Sequence, residues 1–329
     1  MAIRSMFLLF LGLFLLPTAA DARTWLVSKK DPRGVKSFYQ IDFDRLKPGD
    51  TVVVRTGVYK ESLQAVTGVR YLARGKVYID EILIENTFGV TIDGFRLDGD
   101  GRSKPTGISV VDSKSIKILN CRLRDYQEAI SISRSSTIKI DKTLVEDSER
   151  GICLYLANYV TITRSMIAQK PPQVRVTRNF DPVVGPDPEK DENNNYGIEV
   201  SGGNRITIDH NTFLFNGAVG ANLSGLAYLK FTNNILAFNG WGLAIEAPGK
   251  HIVENNLFYK NVYGDGKPPA MQGLPMPLDG GDNFFFDPLF VSEEKADWRL
   301  QHKSLAKDKD QDGSYIGAFA PLPPPHDAN

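Results

Sequence analysis

Residues 206–261 read ITIDHNTFLFNGAVGANLSGLAY (206–228), LKFTNNILAFNGWGLAIEAPGK (229–250) and HIVENNLFYKN (251–261). Set one beneath another, these lines place Asn211, Asn234 and Asn256 in one column and Asn216, Asn239 and Asn261 in a second. The register continues towards the N-terminus. Segments beginning at Val90, Ile116, Ile138, Val160, Ile206, Leu229 and His251 follow one another at 26, 22, 22, 46, 23 and 22 residues, the 46 being two units' worth of chain. Ile92, Ile118, Ile140, Ile162, Ile208, Phe231 and Val253 form one apolar column. Leu97, Leu123, Val145, Ile167, Phe213, Leu236 and Phe258 form another, while Phe95, Cys121, Thr143 and Ser165 precede the first asparagine column.

A repeat of this length marks a solenoid, whose units bury their apolar faces only by stacking on one another. Each unit is a series of short aliphatic or β-branched runs with period-two alternation, broken by Gly, Asn and Ser, which reads as strand rather than helix. A leucine-rich repeat is the nearest competitor. It is disfavoured because no unit carries a recurrent Leu-rich consensus and no amphipathic helix fits between strands. The fold expected is therefore all-β, a right-handed parallel β-helix, with asparagines hydrogen-bonding along the stack at its bends.

The 329 residues are expected to form one elongated domain. Residues 1–22 read as a secretory signal: Arg4, an apolar run from Met6 to Leu16, Pro17, then small residues ending Ala20-Asp21-Ala22. That run is too short to span a membrane, and no cysteine follows the cut to take a lipid. The mature protein is expected to be exported, periplasmic or extracellular, without stable membrane insertion. Lys and Arg (39) balance Asp and Glu (39), and loss of Arg4 and Asp21 keeps that balance, so no field draws the chain to nucleic acid. Cys121 and Cys153 are badly placed for a disulfide. Residues 23–81 are expected to form an N-terminal cap with the first strands, 82–286 the coils, 287–320 a cap at the other end, and 321–329 a Pro-rich tail.

Alternation assigns the faces of the first strand of each coil. Ile84, Val110, Ile132, Leu154, Val200, Leu223 and Ile245 point inward. Leu83, Ser109, Ser131, Cys153, Glu199, Asn222 and Ala244 point outward, followed two residues on by Glu85, Val111, Ser133, Tyr155, Ser201, Ser224 and Glu246. The outer face is small and polar, with Tyr155, Glu199 and Glu246 standing from it. Insertions at about 170–195 and 264–283 leave at equivalent corners, and loops of this length are usually functional or disordered.

The opening KPGDTVVVRTGVY (47–59), the closing DPLF (287–290), DWRL (297–300) and IGAF (316–319), and the NxxIxxNxF coils between them resemble the right-handed β-helix superfamily that includes pectate, alginate and chondroitin lyases and alginate epimerases. The resemblance covers essentially the whole mature chain. It specifies fold strongly and chemistry weakly. It implies that the two insertions wall a cleft for a polysaccharide over Tyr155, Glu199 and Ser201, with Arg150, Tyr196 and Trp241 at its edge.

Glycoside hydrolysis needs two carboxyl groups roughly 5 to 9.5 Å apart. Two coils and two strand positions put Glu199 and Glu246 roughly 12 Å apart. A hydrolase would therefore need a loop acid such as Asp187, Asp191 or Glu192. Elimination or epimerisation at a uronate needs a proton-transfer group and a cation against the adjacent carboxylate. Tyr155 and Tyr196 are candidates for the first role; Arg150, Arg178 and Lys190, with Arg175, are candidates for the second. Glu199 with Asp187, Asp191 or Glu192 could hold Ca²⁺, which takes six to eight oxygens. Ser201, Asn222, Trp241 and Glu246 are candidate substrate contacts. The plainer reading is that Arg150 simply pairs with Glu128, one coil before it, and that the loop charges are solvated.

Asp308, Asp310 and Asp312 have the spacing of a calcium loop with Gly313 at its turn, but the twelfth position is Phe319 rather than Glu, so at most a weaker Ca²⁺ site remains. All four histidines follow residue 209, and His210, in a turn beside Asn211, reads as structural before catalytic. The chain is thus expected to be a carbohydrate-active lyase or epimerase. The alternative is a non-catalytic carbohydrate-binding or envelope protein of the same fold.

Overall fold

Residues that adopt the left-handed backbone conformation recur at the bends of successive coils. After the second strand they are Asn120, Lys142, Arg164, His210, Asn233 and Asn255, with φ between 48° and 57°. Non-glycine residues seldom adopt this conformation, and Asn and His are enriched among those that do. A computed structural model describes residues 22–101, 103–170, 195–246, 250–261, 271–272, 283–309 and 315–320. Twenty-two of its strands join in one continuous parallel sheet wound as a β-helix. No described helix is long and apolar enough to cross a membrane.

Each coil supplies three strands. First strands include Thr106–Val111, Glu128–Ser133, Val219–Leu226 and Trp241–Glu246. Second strands include Lys114–Leu119, Ser136–Asp141 and Tyr228–Thr232. Third strands include Leu144–Glu146, Met166–Ala168, Thr212–Leu214, Ile235–Ala237 and Leu257–Tyr259. In two consecutive coils the first and second strands run on as Arg150–Thr163 and Tyr196–Asp209. The register is the one read from the repeat: Ile116 pairs with Ile138, Ile138 with Val160, Val160 with Ile206, Ile206 with Leu229, and Leu229 with His251. Both apolar columns lie inside, in a single core running from Val27 to Phe258.

The asparagine columns are hydrogen-bond ladders. Asn234 Oδ1 accepts from the backbone N–H of Asn211 at 2.9 Å, and Asn256 Oδ1 accepts from that of Asn234 at 3.0 Å. Ser165 and Thr143 carry this ladder back, and Asn283 carries it forward. Asn216, Asn239 and Asn261 form the second ladder. These side chains are buried and meet backbone groups that the bends leave without strand partners, where an unmade bond costs about 1–3 kcal/mol. Entry to the first strands of four later coils is marked by Gly151, Gly197, Gly220 and Gly242. A Cβ on Gly197 would stand 2.3 Å from the carbonyl oxygen of Gly220, so only glycine fits between coils there.

Three features depart from expectation. Parallel pairing begins well before residue 82, since Trp25 pairs with Val52, Val52 with Tyr71 and Tyr71 with Ile92. The unequal spacing of these residues hid those coils. Met271–Gln272, inside the second expected insertion, pairs with Leu243 and Ala244 as a further first strand. The closing segment, expected to cap the stack end, instead lies along the side of the helix. There Phe290, Trp298, Leu300, Ala306, Ile316 and Ala318 cover the outer faces of the third strands, at Met166, Ala168, Leu214, Ile235, Ala237 and Leu257. The same outward positions in earlier coils are Arg96, Asp98, Arg122 and Arg124, which need no cover. Both cysteines are free thiols.

Candidate functional site

The outer face of the first sheet carries an ion cluster in the coils that flank residues 171–194. Register sets Arg150 between Glu128 on one side and Tyr196 on the other, while Cys153 pairs with Ser131 and Glu199, and Tyr155 with Ser133 and Ser201. Arg150 sits 3.4 Å from Glu128 and 3.6 Å from Glu199, and thus bridges two carboxylates that the coils hold apart. The pairing of Arg150 with Glu128 that the plainer reading foresaw is present, and Glu199 joins it. Two buried atoms of the cluster, Arg150 Nε and Glu199 Oε2, have no hydrogen-bond partner among the described residues.

The Tyr155 hydroxyl donates to Glu128 Oε1 at 2.9 Å and lies 3.5 Å from Arg150 Nη1. Burial, reinforced by Cys153 and Glu128, holds this phenol far above its ordinary pKa. Tyr155 is therefore a protonated donor at neutral pH, not a base. Beneath it, Cys153 points outward yet is fully covered, and burial pushes its thiol up to about 12. Such a thiol is inert as a nucleophile. Arg150 loses some of its charge preference to burial, but Glu128, Glu199 and the other neighbouring groups together more than restore it, and its pKa lies above the ordinary value.

The other expected contacts fall in columns beside the cluster. Tyr196, Val219 and Trp241 pair in sequence along one edge, so Tyr196 and Trp241 share a column with Arg150. Both aromatics are half-buried. Asn222 is half-buried next to Glu199, while Ser201 and Glu246 are exposed. Register keeps Glu199 and Glu246 two coils apart. Arg175, Arg178, Asp187, Lys190, Asp191 and Glu192 lie outside the described residues, as do Asp310 and Asp312. Asp308 ends the short helical turn Leu305–Asp308.

Among the described residues no three His, Cys, Asp or Glu side chains gather as a metal site. Glu199, the one described member of the expected Ca²⁺ set on the sheet, faces a guanidinium instead of other oxygens. The described residues thus do not fit the ion, and no chemical step is assigned to it.

Two participants were not among the residues picked as catalytic. Glu128 was seen only as a pairing partner, although its place one coil before Arg150 was the available signal. The histidine in the bend also has a role in a groove. His210 Nδ1 bonds Asp209 Oδ2 at 2.8 Å, and both line a groove over the second sheet. Burial would raise the Asp209 pKa, but hydrogen bonds from His210, Thr232 and Asn233 outweigh it and leave the carboxyl below its ordinary value.

No curated protein matches the chain in sequence. Among solved structures, pectate lyase Pel9A is similar in fold, with a TM-score of 0.57 at 11% identity over 92% of this chain and 97% of that one. DFA-IIIase from Arthrobacter chlorophenolicus A6 gives a TM-score of 0.46 at 13% identity, over 65% of this chain and 59% of that one. An alginate lyase from Paenibacillus sp. str. FPU-7 gives 0.40 at 13% identity, over 73% and 77%. The sequence itself matches the family described as right handed beta helix region over residues 80–170 and 106–266. With its parallel coils, stacked asparagines and inward aliphatic columns, the chain belongs to the right-handed β-helix family.

Proposed function

We propose that the protein is an exported, carbohydrate-active β-helix, a lyase or epimerase that acts on a uronate-containing polysaccharide laid across the first sheet. One observation carries this reading: a protonated Tyr155 and the half-buried Glu199 carboxylate share the outer face of adjacent coils around Arg150. The likeness in fold to a pectate lyase agrees with it.

Elimination at a uronate removes the proton on the carbon beside the carboxylate. Glu199 accepts that proton. The carbon–oxygen bond to the neighbouring sugar breaks as the double bond forms, and the leaving oxygen takes the Tyr155 proton, which solvent restores. Epimerisation differs in returning a proton to the opposite face of the same carbon. Arg150 already faces two carboxylates, so Arg178 and Lys190 are proposed to neutralise the substrate carboxylate. Tyr196 and Trp241 offer ring faces along the cleft edge, with Ser201, Asn222 and Glu246 as polar contacts.

The test is to incubate mature protein with pectate, alginate and glycosaminoglycan chains, with and without chelator, and follow unsaturated ends by ultraviolet absorbance. Proton exchange in deuterated water detects epimerisation. The expected result is a signal on one class of chain that Glu199→Ala abolishes; silence in both assays on every chain overturns the proposal. A second reading, carbohydrate binding without turnover, is favoured by the mutual neutralisation of Arg150, Glu128 and Glu199. It predicts binding by the same chains and silence in both assays.

A further inference from the structure

We propose that the outer face of the second sheet is a separate binding groove, which takes an acidic oligosaccharide without reacting with it. The groove encloses about 710 Å³, a volume inside the roughly 300–1,000 Å³ typical of ligand sites. Its floor is laid by the coil repeat. Lys117 and Lys139 are in direct register, and Lys139 pairs with Thr161, so three side chains leave the sheet on consecutive coils, about 4.8 Å apart.

The charge of this floor is compensated only in part: Asp141, two residues from Lys139, acts on it through space but is held by Arg164. Arg164 is paired with Asp141, and His210 with Asp209. Lys117 and Lys139 form no salt bridge among the described residues. Two lysine side chains thus leave the sheet one coil apart among the hydroxyls of Ser115, Thr137, Thr161 and Thr163. A single small anion would engage the row at one point, and an uncharged sugar would leave both lysines unmatched. A chain with a carboxylate on successive rings meets both.

Two tyrosines supply ring faces. Tyr159 is 52% exposed and held in the left-handed conformation at φ 55°, with the Arg205 guanidinium 5.4 Å from its ring centre. Tyr315 comes from the closing segment and packs edge-on to His210 at 6.1 Å. It is fixed there because the neighbouring Ile316 and Gly317 donate backbone bonds to Ala306 and Asn233. The segment that covers the third sheet therefore also contributes to this groove.

The inference rests on the proposed function only for the polymer class, not for the chemistry at Glu199. Oligogalacturonate and oligomannuronate of defined length would be titrated by calorimetry onto the full chain as wild type, as Lys117→Ala/Lys139→Ala and as Glu199→Ala. Hydrogen exchange would report which strands the ligand protects. The expected result is protection of 115–117, 137–139 and 159–164. The double lysine variant, with unchanged circular dichroism, should weaken that binding at least tenfold and flatten its salt dependence. Turnover at the first sheet should persist in it. Equal binding by wild type and double variant, or no binding of either oligomer, overturns the groove. Turnover without groove protection overturns the groove and leaves the proposed function standing, whereas groove protection without turnover overturns the lyase reading and leaves the groove.

Discussion

Tyr155 donates its phenolic proton to Glu128 across adjacent coils at 2.9 Å. The bond fixes which of the two carries the hydrogen, because burial keeps the phenol un-ionised. Tyr155→Phe keeps the ring and removes only the donor. It should lower stability by about 1 kcal/mol and lower turnover by about 10²- to 10⁴-fold, with substrate affinity unchanged. Parallel denaturation curves and initial rates check this; a variant as active as wild type removes Tyr155 from the chemistry.

Arg150 should matter to folding as well as to catalysis, because its removal leaves Glu128 and Glu199 facing one another without a cation. Arg150→Met should cost about 1–3 kcal/mol, less than a fully buried pair because about a third of the side chain reaches solvent. Adding Glu128→Gln to it should restore part of that loss. If the double variant is no more stable than the single one, the repulsion is absent.

The ladder at Asn234 predicts a larger effect from a neutral side chain. This amide accepts from the backbone and side chain of Asn211 and donates to Ile208 O and Asn256 Oδ1. Asn234→Ala strands several buried groups at once and should cost about 3 kcal/mol or more. Thr143→Ala, at a weaker rung of the same column, should cost about 1 kcal/mol. Urea midpoints for the two variants decide the order.

Acid stability should depend on Asp209. Its folded pKa lies below the ordinary value, so its contribution is complete above pH of about 4 and is lost as pH falls from there through the folded value. Asp209→Asn should therefore flatten the acid limb of a melting-temperature profile below pH of about 4. Limbs of equal slope in the two proteins would show that the hydrogen bonds from His210, Thr232 and Asn233 do not favour the ionised form.

Deleting residues 287–329 should uncover the apolar side of the third strands at Leu214, Ile235 and Leu257. Each such aliphatic side chain is worth about 1.5–3 kcal/mol when fully buried. The shortened protein should bind a hydrophobic dye and self-associate, which light scattering would register. A monodisperse, dye-silent product would mean that this side needs no cover.

The coil register was legible because two independent columns, one apolar and one of asparagine, repeat at the same spacing. The outward placement of Tyr155 and Glu199 followed from alternation alone. The N-terminal coils were not legible, since Trp25, Val52 and Tyr71 succeed one another at irregular intervals without asparagine. Met271–Gln272 is too short to show a period. Glu128 was overlooked as a participant because a pairwise view made it the counter-ion of Arg150; only the third member, Glu199, reveals a bridge. The lateral position of the closing segment did have a signal: outward residues of the third strands change from Arg96, Asp98, Arg122 and Arg124 to Met166, Leu214, Ile235 and Leu257. An apolar outward stripe within an otherwise polar face is a surface awaiting cover.

The backbone N–H of Ala318 donates to Thr212 Oγ1 across 106 residues of chain. A solenoid ordinarily matures coil by coil, each contact made with the unit just before it. Here a later stretch of chain reaches back to units completed about a hundred residues before it. Until it arrives, a nascent chain carries an oily flank that any neighbouring copy can stick to. Maturation thus waits on the arrival of this segment, and a chain cut short ahead of it would have its coils wound but one flank adhesive.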